Sequence, residues 1–254
     1  MKRKALGAAL LAAATLASAA PKGDPRLLRI DAALSFTEGD FSAEYTIVQD
    51  KPGEGKILSK AAVFRRDAVD TYLILMIEPA EDKGKGYLKA GDGLWFYDPA
   101  DRRFTFTNAE ERFRESNARN SDFGRSTYAT DFRVTAERRE TLGKFDCAAL
   151  DLEATSSKAT FPKSRLWVTD DGLVRKVEDY SLSGQLMRTI ATPSYQKVGG
   201  HYAPTMILIV DNLRGKQVEG KFVGERTQIT ITKASTAPQP DAIYSKAYLE
   251  KVAK

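Results

Sequence analysis

Short segments of alternating apolar and polar residues, separated by turns that contain glycine or aspartate, recur through most of this chain. The clearest example joins Ser164–Thr169 to Leu173–Tyr180 through Asp170-Asp171-Gly172. Glycine supplies the positive φ that a tight hairpin needs, and Asp-Gly is among the strongest short-range hairpin signals. Roughly twelve such segments follow one another at the even spacing of an all-β domain. The pattern predicts one strongly curved antiparallel sheet or barrel.

The stretch Gly84–Phe104 predicts a meander that carries large aromatic side chains. Its two apolar runs, Tyr87–Ala90 and Leu94–Tyr97, are separated by Gly-Asp-Gly, and an Asp-Pro turn follows the second run. Proline presets φ for a turn, so three successive antiparallel strands are expected here. Aromatic residues on adjacent strands either fill the core of a sheet or line an apolar concave surface, and the sequence leaves both interpretations open.

Three segments have helical patterns rather than strand patterns. Arg26–Leu34 has the apolar spacing of a short amphipathic helix. A second helix is predicted over Asn108–Asn120, with Asn108 as its N-cap. A closing helix is predicted over Ala242–Val252, with Asp241 as its cap.

The strand predicted at Thr71–Ile77 is apolar on both faces, so both of its sides should be covered. Residues two apart share a face of a strand. One set is Leu73, Leu75 and Ile77, and the other is Tyr72, Ile74 and Met76. One set should pack under a helix while the other lines a cavity or a partner surface, and the sequence does not say which.

The N-terminus has the pattern of a signal peptide. Basic residues in Met1–Lys4 precede the apolar run Ala5–Leu16 and the small-residue site Ala17–Ala19. We expect cleavage after Ala19, which would leave residues 20–254 as one periplasmic domain. The apolar run is shorter than the roughly 20 residues that a spanning helix needs, and no cysteine follows it for lipid attachment.

The net charge gives little reason to expect a nucleic-acid partner. The chain has 254 residues and a formal net charge of +5, but Lys2, Arg3 and Lys4 lie in the predicted signal peptide. Without those three, the 39 basic side chains fall to 36, against 34 acidic ones. No strongly basic segment is interleaved with aromatic residues, so we expect no nucleic-acid binding.

The residues that most often carry catalysis are scarce. Cys147 is the only cysteine and His201 the only histidine, so the usual zinc-binding sets cannot form. No Gly-x-Ser-x-Gly elbow and no phosphate-binding Gly-x-x-x-x-Gly-Lys-Ser/Thr motif is present. We expect a buried structural thiol at Cys147, a structural histidine beside a turn, no metal, no cofactor and no enzyme activity. A hydrolase of unrecognised type is the least favoured alternative.

Several segments together resemble the outer-membrane lipoprotein-sorting proteins of the LolA-like superfamily, in the branch with few assigned functions. The segments that carry the resemblance are Phe41–Asp50, Val63–Arg66, Gly84–Tyr97, Asn120–Gly124, Gly143–Leu152, Trp167–Tyr180 and Tyr248-Leu249. The most specific parts are Gly-x-Tyr-Leu followed by Leu-Trp-Phe-Tyr-Asp-Pro, and the Ser-Asp-Phe segment. The resemblance spans essentially the whole predicted mature chain.

This resemblance implies an unclosed β-barrel whose hollow is covered by short helices. It also implies a monomeric periplasmic carrier that binds the acyl chains of lipoproteins or lipids without a cofactor. The segment Asn108–Phe132 and the terminal helices are the expected covers. An inner-membrane transporter or exporter complex is the expected partner. The alternative is a sensor or accessory subunit that binds acyl chains without transporting them.

The resemblance also suggests where cargo would bind. Apolar residues of the predicted strands are expected to line the hollow: Phe64, Leu73, Leu75, Ile77, Leu94, Trp95, Phe96, Tyr97 and Trp167. Studied carriers have a functional arginine on an early strand near the lid, and Arg65 or Arg66 would be its counterpart. Adjacent residues of a strand point to opposite faces, so the sequence does not distinguish between the two arginines.

Overall fold

The computed structural model describes residues 23–253, so the predicted signal peptide lies outside the described residues. Within that range, thirteen strands form one antiparallel sheet. The strands are β1 (Phe41–Lys51), β2 (Gly55–Arg66), β3 (Thr71–Glu78), β4 (Gly86–Ala90), β5 (Gly93–Asp98), β6 (Arg103–Thr107), β7 (Phe132–Leu142), β8 (Phe145–Ala154), β9 (Lys163–Val168), β10 (Val174–Tyr180), β11 (Leu186–Val198), β12 (His201–Val218) and β13 (Lys221–Ser235). The helices are α1 (Pro25–Leu34), α2 (Tyr128–Asp131) and α3 (Lys246–Val252), with single 3₁₀ turns at Asp67–Val69, Asn120–Phe123 and Asp241–Tyr244.

The sheet is not closed into a barrel. Its strand order is β6-β5-β4-β3-β2-β1-β13-β12-β11-β10-β9-β8-β7, so β6 and β7 are the two edges. Strands that pair in the sheet are consecutive in the sequence, with one exception. The exception is the pair β1 and β13, which brings the two ends of the chain together. The predicted mainly-β fold with an unclosed barrel is confirmed.

Strand β1 defines the two faces of the sheet. Phe41, Ala43, Tyr45 and Ile47 alternate with more exposed residues, as the sequence pattern predicts, and all four are buried. We call the face that carries these four side chains the inner face and the opposite one the outer face. The main apolar core lies on the inner face, where β1 residues pack with Val63 of β2 and other buried side chains.

Helix α1 covers part of the inner face and confirms the helix predicted at Arg26–Leu34. The Asp24 carboxylate accepts a hydrogen bond of 2.9 Å from the Arg26 amide, which caps the first turn. Leu27 and Ile30 are buried against β8, β9 and β10, where Leu166 is one of their partners. The helix therefore seals the inner face beside the later strands.

The helix predicted at Asn108–Asn120 is wrong, because this segment folds as a compact loop. The Asn108 side chain caps a turn by accepting from the Glu110 and Glu111 amides at 3.1 and 2.9 Å. The loop then closes on itself through a 2.8 Å bond from the Phe113 amide to the Ala118 carbonyl. Burial of Phe113 and Ala118 in the core outweighs the helical preference of the charged residues around them.

The closing helix begins later than predicted and covers the other face of the sheet. Ser245, not Asp241, caps α3 by accepting from the Tyr248 amide, and only a 3₁₀ turn precedes it. Leu249 packs against Leu73 of β3 and Tyr97 of β5 on the outer face. The expectation that both terminal helices cover the hollow therefore holds for α1 and fails for α3.

Candidate ligand cavity

A cavity of about 280 Å³ lies between the inner face and the segment Asn108–Phe132, which we call the insertion. Its walls come from β1, β2 and β9 to β13, from α1, from the loop between β8 and β9, and from the insertion. The apolar side chains around it include Leu34, Phe36, Phe41, Tyr45, Phe123, Tyr128, Phe132, Phe161, Val174, Val177, Ile190, Ile207, Ile209 and Ile229. The volume is just below the roughly 300–1,000 Å³ that is usual for small-molecule sites.

Two phenylalanines of the insertion plug one side of the cavity. The ring centroids of Phe113 and Phe123 are 4.4 Å apart, and Phe113 lies 4.9 Å from Tyr87 of β4. Phe123 lies 5.8 Å from Tyr45 of β1 and borders the cavity directly. Aromatic packing at these distances fixes the cover against the sheet without filling the space beside it.

Arg65 of β2 reaches the cavity wall with its charge already balanced. Its Nε and Nη2 atoms donate to the Asp67 carboxylate at 3.0 and 2.6 Å. Its guanidinium also lies 5.6 and 5.5 Å from the ring centroids of Phe36 and Phe41. Asp67 in turn accepts from the Phe36 amide at 2.8 Å, so this pair ties the chain after α1 to β2.

Arg66 points to the opposite face and plays no part in the cavity. It donates to Asp40 at 2.8 and 3.0 Å and stacks 4.5 Å from the Tyr244 ring. Of the two candidate arginines, only Arg65 lines the cavity.

Tyr45 contributes a buried hydroxyl to the cavity. Its side chain is only 6% exposed and lines the cavity. Burial raises its pKa to about 12, so the hydroxyl keeps its proton at physiological pH. A tyrosine in this setting can donate one hydrogen bond to a guest in the cavity.

A buried ionic network forms another part of the wall. Arg188 of β11 donates to Asp122 of the insertion at 2.8 and 2.9 Å and to Asp179 of β10 at 2.6 Å. Burial alone would lower the pKa of Arg188, but the two carboxylates outweigh it and raise that pKa. Ser164 donates to Asp179 at 2.6 Å, and the Arg188 guanidinium lies 4.6 Å from the Phe161 ring. The network joins the insertion to three strands.

Asp31 of α1 anchors the far end of the insertion. Its carboxylate accepts from the Ser126 hydroxyl at 2.5 Å and from the Tyr128 and Ala129 amides at 3.0 and 2.8 Å. Burial raises the pKa of Asp31, while these hydrogen bonds act in the opposite direction. The cover is therefore attached to α1 as well as to the sheet.

Most of the residues predicted to line the hollow lie on the outer face instead. Phe64, Leu73, Leu75 and Tyr97 pack with Leu249 of α3. Ile77 lies at an irregularity of the β2–β3 register, between the pairs Ala61–Met76 and Lys60–Glu78. None of these five is among the side chains that line the cavity.

The remaining four predicted residues divide between the two faces. Trp95 lies under Lys246 of α3, whose Nζ is 4.2 Å from the ring. Trp167 packs with Cys147 in a small outer cluster. Leu94 and Phe96 do face inward and belong to the main core, but they do not reach the cavity. The cavity is lined by a different set of residues.

Several residues of the cavity wall were not predicted from the sequence. For Phe41 and Tyr45 the sequence does contain a signal, because the alternation in β1 places both on one buried face. Phe36, Arg188 and Ile207 had no such signal, because their place in the wall depends on how α1, β11 and β12 pack.

Two further observations concern metal binding and membrane-spanning helices. Across residues 23–253, no group of three or more His, Cys, Asp or Glu side chains is arranged to hold a metal ion. No helix in that same range combines the length and apolar character needed to cross a bilayer.

Comparisons with known proteins agree with the observed architecture. Residues 68–251 match the model of a family described as "-like: Uncharacterized protein". A LolA superfamily protein from Nitrosomonas europaea has a similar structure, with a TM-score of 0.73, 23% identity and coverage of 90% of this chain and 100% of that one. A domain named for outer membrane lipoprotein sorting, from Vibrio parahaemolyticus, superposes with a TM-score of 0.76 at 16% identity, covering 90% and 98%.

A third structure has the same architecture. A DUF1329 family protein from Desulfovibrio piger superposes with a TM-score of 0.75 at 18% identity, covering 88% of this chain and 96% of that one. No curated protein matches the sequence. At these identities the structural matches define the fold.

Proposed function

The chain belongs to the uncharacterised family whose model matches residues 68–251 and has the LolA-like fold, and from this premise we propose that it is a periplasmic carrier for acyl chains. Its cargo would be a lipid or an acylated lipoprotein, moved between membranes as a one-to-one complex. Delivery would need an acceptor in the outer membrane and a donor such as an inner-membrane transporter or exporter complex. The protein would act by binding rather than by catalysis.

The observation that carries this proposal is the apolar cavity between the inner face and the insertion. Its lining is dominated by aromatic and branched aliphatic side chains such as Phe41, Ile207 and Ile229. Burying one methylene is worth about 0.8 kcal/mol, so a chain of about sixteen carbons gains on the order of 12 kcal/mol before losses on association. The present cavity can hold part of such a chain without energy input.

Exchange of cargo would require the insertion to open as a cover. Its polar attachments include Asp122 to Arg188, the Asp31 cap and a 2.8 Å bond from the Asn117 amide to the Thr227 hydroxyl. Ion pairs with other strands and loops add to them, such as Lys51 with Glu115 and Arg114 with Asp82. Opening would expose the plug residues Phe113 and Phe123 together with the cavity. A longer chain than the present cavity admits would be accommodated by the same movement.

The make-up of the cavity supports binding over catalysis. Among the described residues, the cavity lining includes Ser121, Ser126 and Thr127 but no histidine or cysteine that could activate them. The single histidine, His201, instead lies 5.5 Å from the Phe36 ring as a packing partner. An accessory sensor that binds acyl chains without moving them would use the same cavity, so only a transfer assay separates it from a carrier.

A matched pair of neighbouring residues on β12 tests the cavity. Ile207 lines it, opposite Ile229 of β13, while Leu208 points away and is 37% exposed. We expect Ile207→Asp to weaken binding of a fluorescent fatty acid at least tenfold, because an acyl chain would then desolvate a charge. Leu208→Asp should bind like the wild type, and both variants should keep a cooperative melt.

Transport itself is tested with donor and acceptor vesicles. Purified wild-type protein should carry lipid detectable by mass spectrometry and should speed the transfer of a labelled lipid between vesicles. Wild-type protein that holds no lipid and binds no acyl probe would overturn the proposal. Binding without any acceleration of transfer would leave the sensor as the function.

A further inference from the structure

We propose that a second, smaller cavity beside the one described above binds a phosphate group. It has a volume of about 100 Å³ and lies where the insertion meets β11, β12 and the loop between β8 and β9. By volume it has room for about three water molecules, and so for one phosphate group. The inference goes beyond the proposed carrier function and does not depend on it.

Basic side chains dominate the wall of this second cavity. Its charged lining consists of four arginines and one carboxylate, namely Arg112, Arg119, Arg188, Arg214 and Asp211. Like charges gathered around one space repel one another, and an anion between them relieves that repulsion. Guanidinium groups also bind phosphate through paired N–H donors, which fixes the orientation of the anion.

Two of the four arginines have carboxylate partners, but these partners lie outside the second cavity. Arg112 pairs with Glu225 at 3.3 Å, and Arg188 pairs with Asp122 at 2.8 Å and with Asp179 at 2.6 Å. Asp122 and Asp179 border the larger cavity, while Arg188 lines both cavities. The wall of the second cavity therefore carries these two guanidinium groups without their partners.

The other two arginines leave a surplus of positive charge. Within residues 23–253, neither Arg119 nor Arg214 forms a salt bridge with a carboxylate, in contrast to the two arginines above. Arg119 donates instead to the Glu110 carbonyl at 2.6 Å. The carboxylate of Asp211 accepts from the Leu213 and Arg214 amides at 2.9 and 3.0 Å. Two unpaired guanidinium groups thus face one carboxylate, which favours the entry of an anion.

A buried side-chain amide at the same wall lacks an acceptor. Asn117 lines the second cavity, is only 3% exposed, and its Nδ2 atom has no hydrogen-bond partner. Its Oδ1 atom accepts a 2.9 Å bond from Arg112, which an NH₂ group could not do, so the orientation of the amide is fixed. A buried donor without an acceptor is costly, and an oxygen atom of phosphate would supply that acceptor.

The second cavity adjoins an open groove with room for the substituent of a phosphate ester. Arg119, Phe161 and Met187 line both spaces, and the groove also contains Leu182, which is 77% exposed. Free phosphate and a phosphate monoester share the group that the arginines recognise. Burial of apolar surface in the groove favours an ester with an apolar substituent.

The experiment compares inorganic phosphate with phenyl phosphate, a monoester that has no acyl chain. Binding of each to residues 20–254 is measured by isothermal titration calorimetry at pH 7.5 and constant ionic strength, because salt screens exposed charges. We expect saturable binding of both probes with a Kd of about 1 mM or below. Tighter binding of phenyl phosphate would identify an ester as the ligand. Equal affinities would identify free phosphate and overturn the part assigned to the groove.

Two variants separate recognition of phosphate from a structural effect. Arg214→Gln should weaken binding about tenfold, the difference that one charge-assisted hydrogen bond makes. Asp211→Asn should tighten binding about threefold, because it removes a negative charge and keeps the oxygen that accepts from the two amides. Arg103→Gln is the control, since Arg103 is exposed on the edge strand β6 and does not line the cavity.

The outcomes separate this site from the larger cavity. The proposal is overturned if wild-type protein binds neither probe saturably, or if Arg103→Gln weakens binding as much as Arg214→Gln does. Arg214→Gln should still bind a fluorescent fatty acid like the wild type, so failure of the phosphate site leaves the carrier function standing. Should Asp211→Asn not fold, the comparison of Arg214→Gln with Arg103→Gln still decides.

Discussion

Arg188 and Asp122 join the sheet to the cover of the cavity through two hydrogen bonds of 2.8 and 2.9 Å. Both side chains are largely buried, at 10% and 19% exposure. The Asp122 carboxylate also accepts a 2.7 Å bond from the Arg119 amide, so the ion pair organises the 3₁₀ turn that it fastens. This pair therefore links the stability of the fold to access to the cavity.

Breaking this link should loosen the cover. We expect Asp122→Asn to lower the free energy of unfolding by about 2 kcal/mol, because Arg188 loses one of the two carboxylates that balance it. The variant should also release a bound acyl probe faster. Denaturant unfolding and stopped-flow displacement measure the two effects. Glu153→Gln is the control, since its pair with Arg133 is exposed and should be worth less than about 1 kcal/mol. Equal effects of the two variants would contradict the prediction.

The docking of α3 depends on a residue without a side chain. A Cβ at Gly86 would lie 2.4 Å from Leu249 Cδ2 and 2.9 Å from the Ile74 carbonyl oxygen. Gly86→Ala should therefore destabilise the protein by about 1–3 kcal/mol through overpacking. At Gly39 the nearest atom would be 3.4 Å away, so Gly39→Ala should have little effect. Thermal melts of the two variants test this, and a melt of Gly86→Ala at the wild-type temperature would refute it.

Stability should fall in acid because of Asp40. Its carboxylate accepts from Arg66 and from the Gln239 amide, and the Arg66 guanidinium is the main cause of its lowered pKa. A lowered folded-state pKa means that the stabilisation is complete above the unfolded value, about 3.9. It is lost as pH falls through the lower folded-state value.

The matching variant is Asp40→Asn. It should cost about 2 kcal/mol at pH 7 and progressively less below pH 4, where the wild type loses the same interaction. Urea unfolding from pH 7 to pH 2.5 gives the comparison. Asp101→Asn changes an exposed carboxylate and should follow the wild-type curve throughout. A constant difference between Asp40→Asn and wild type at all pH values would rule out this account.

Cys147 should be inert in the folded protein. The structure confirms its predicted burial, since it is fully buried against Ala149 and Trp167, and burial raises the pKa of its thiol. Reaction with a thiol reagent should be slow under native conditions and fast in guanidinium chloride. Ser183→Cys, at an exposed turn in a Cys147→Ala background, should label quickly under both conditions. Rapid native labelling of wild type would count against the buried placement.

The sequence pattern was sufficient for the local structure of the sheet. Period-two alternation in β1 predicted which side chains share a face, and Asp171-Gly172 predicted the hairpin between β9 and β10. Both signals are local, because they depend on strand geometry and on the backbone conformation of a turn. The same is true of α1, whose cap and apolar spacing lie within a few residues of one another.

Local sequence patterns did not predict the features that depend on long-range packing. Ile74 and Leu75 are neighbours on β3, so alternation places them on opposite faces of the strand. Because both are apolar, the sequence does not show which of them lies on the inner face. Only the docking of Leu249 makes the Leu75 face the outer one and leaves Ile74 in the main core. The compact loop around Phe113 was missed for the same reason, since its side chain is buried by strands far away in sequence.

By itself, the sequence determined a sheet of short antiparallel strands and the composition of its turns. It also limited the candidates for an arginine at the cavity to two adjacent residues. The tertiary structure alone decided that Arg65 lines the cavity and Arg66 does not, and that Phe123, Arg188 and Ile207 join it there. The physical reason is that strand periodicity relates neighbours in the chain. A cavity wall is assembled from residues more than a hundred positions apart, and their meeting depends on how the sheet curls and which face each helix covers.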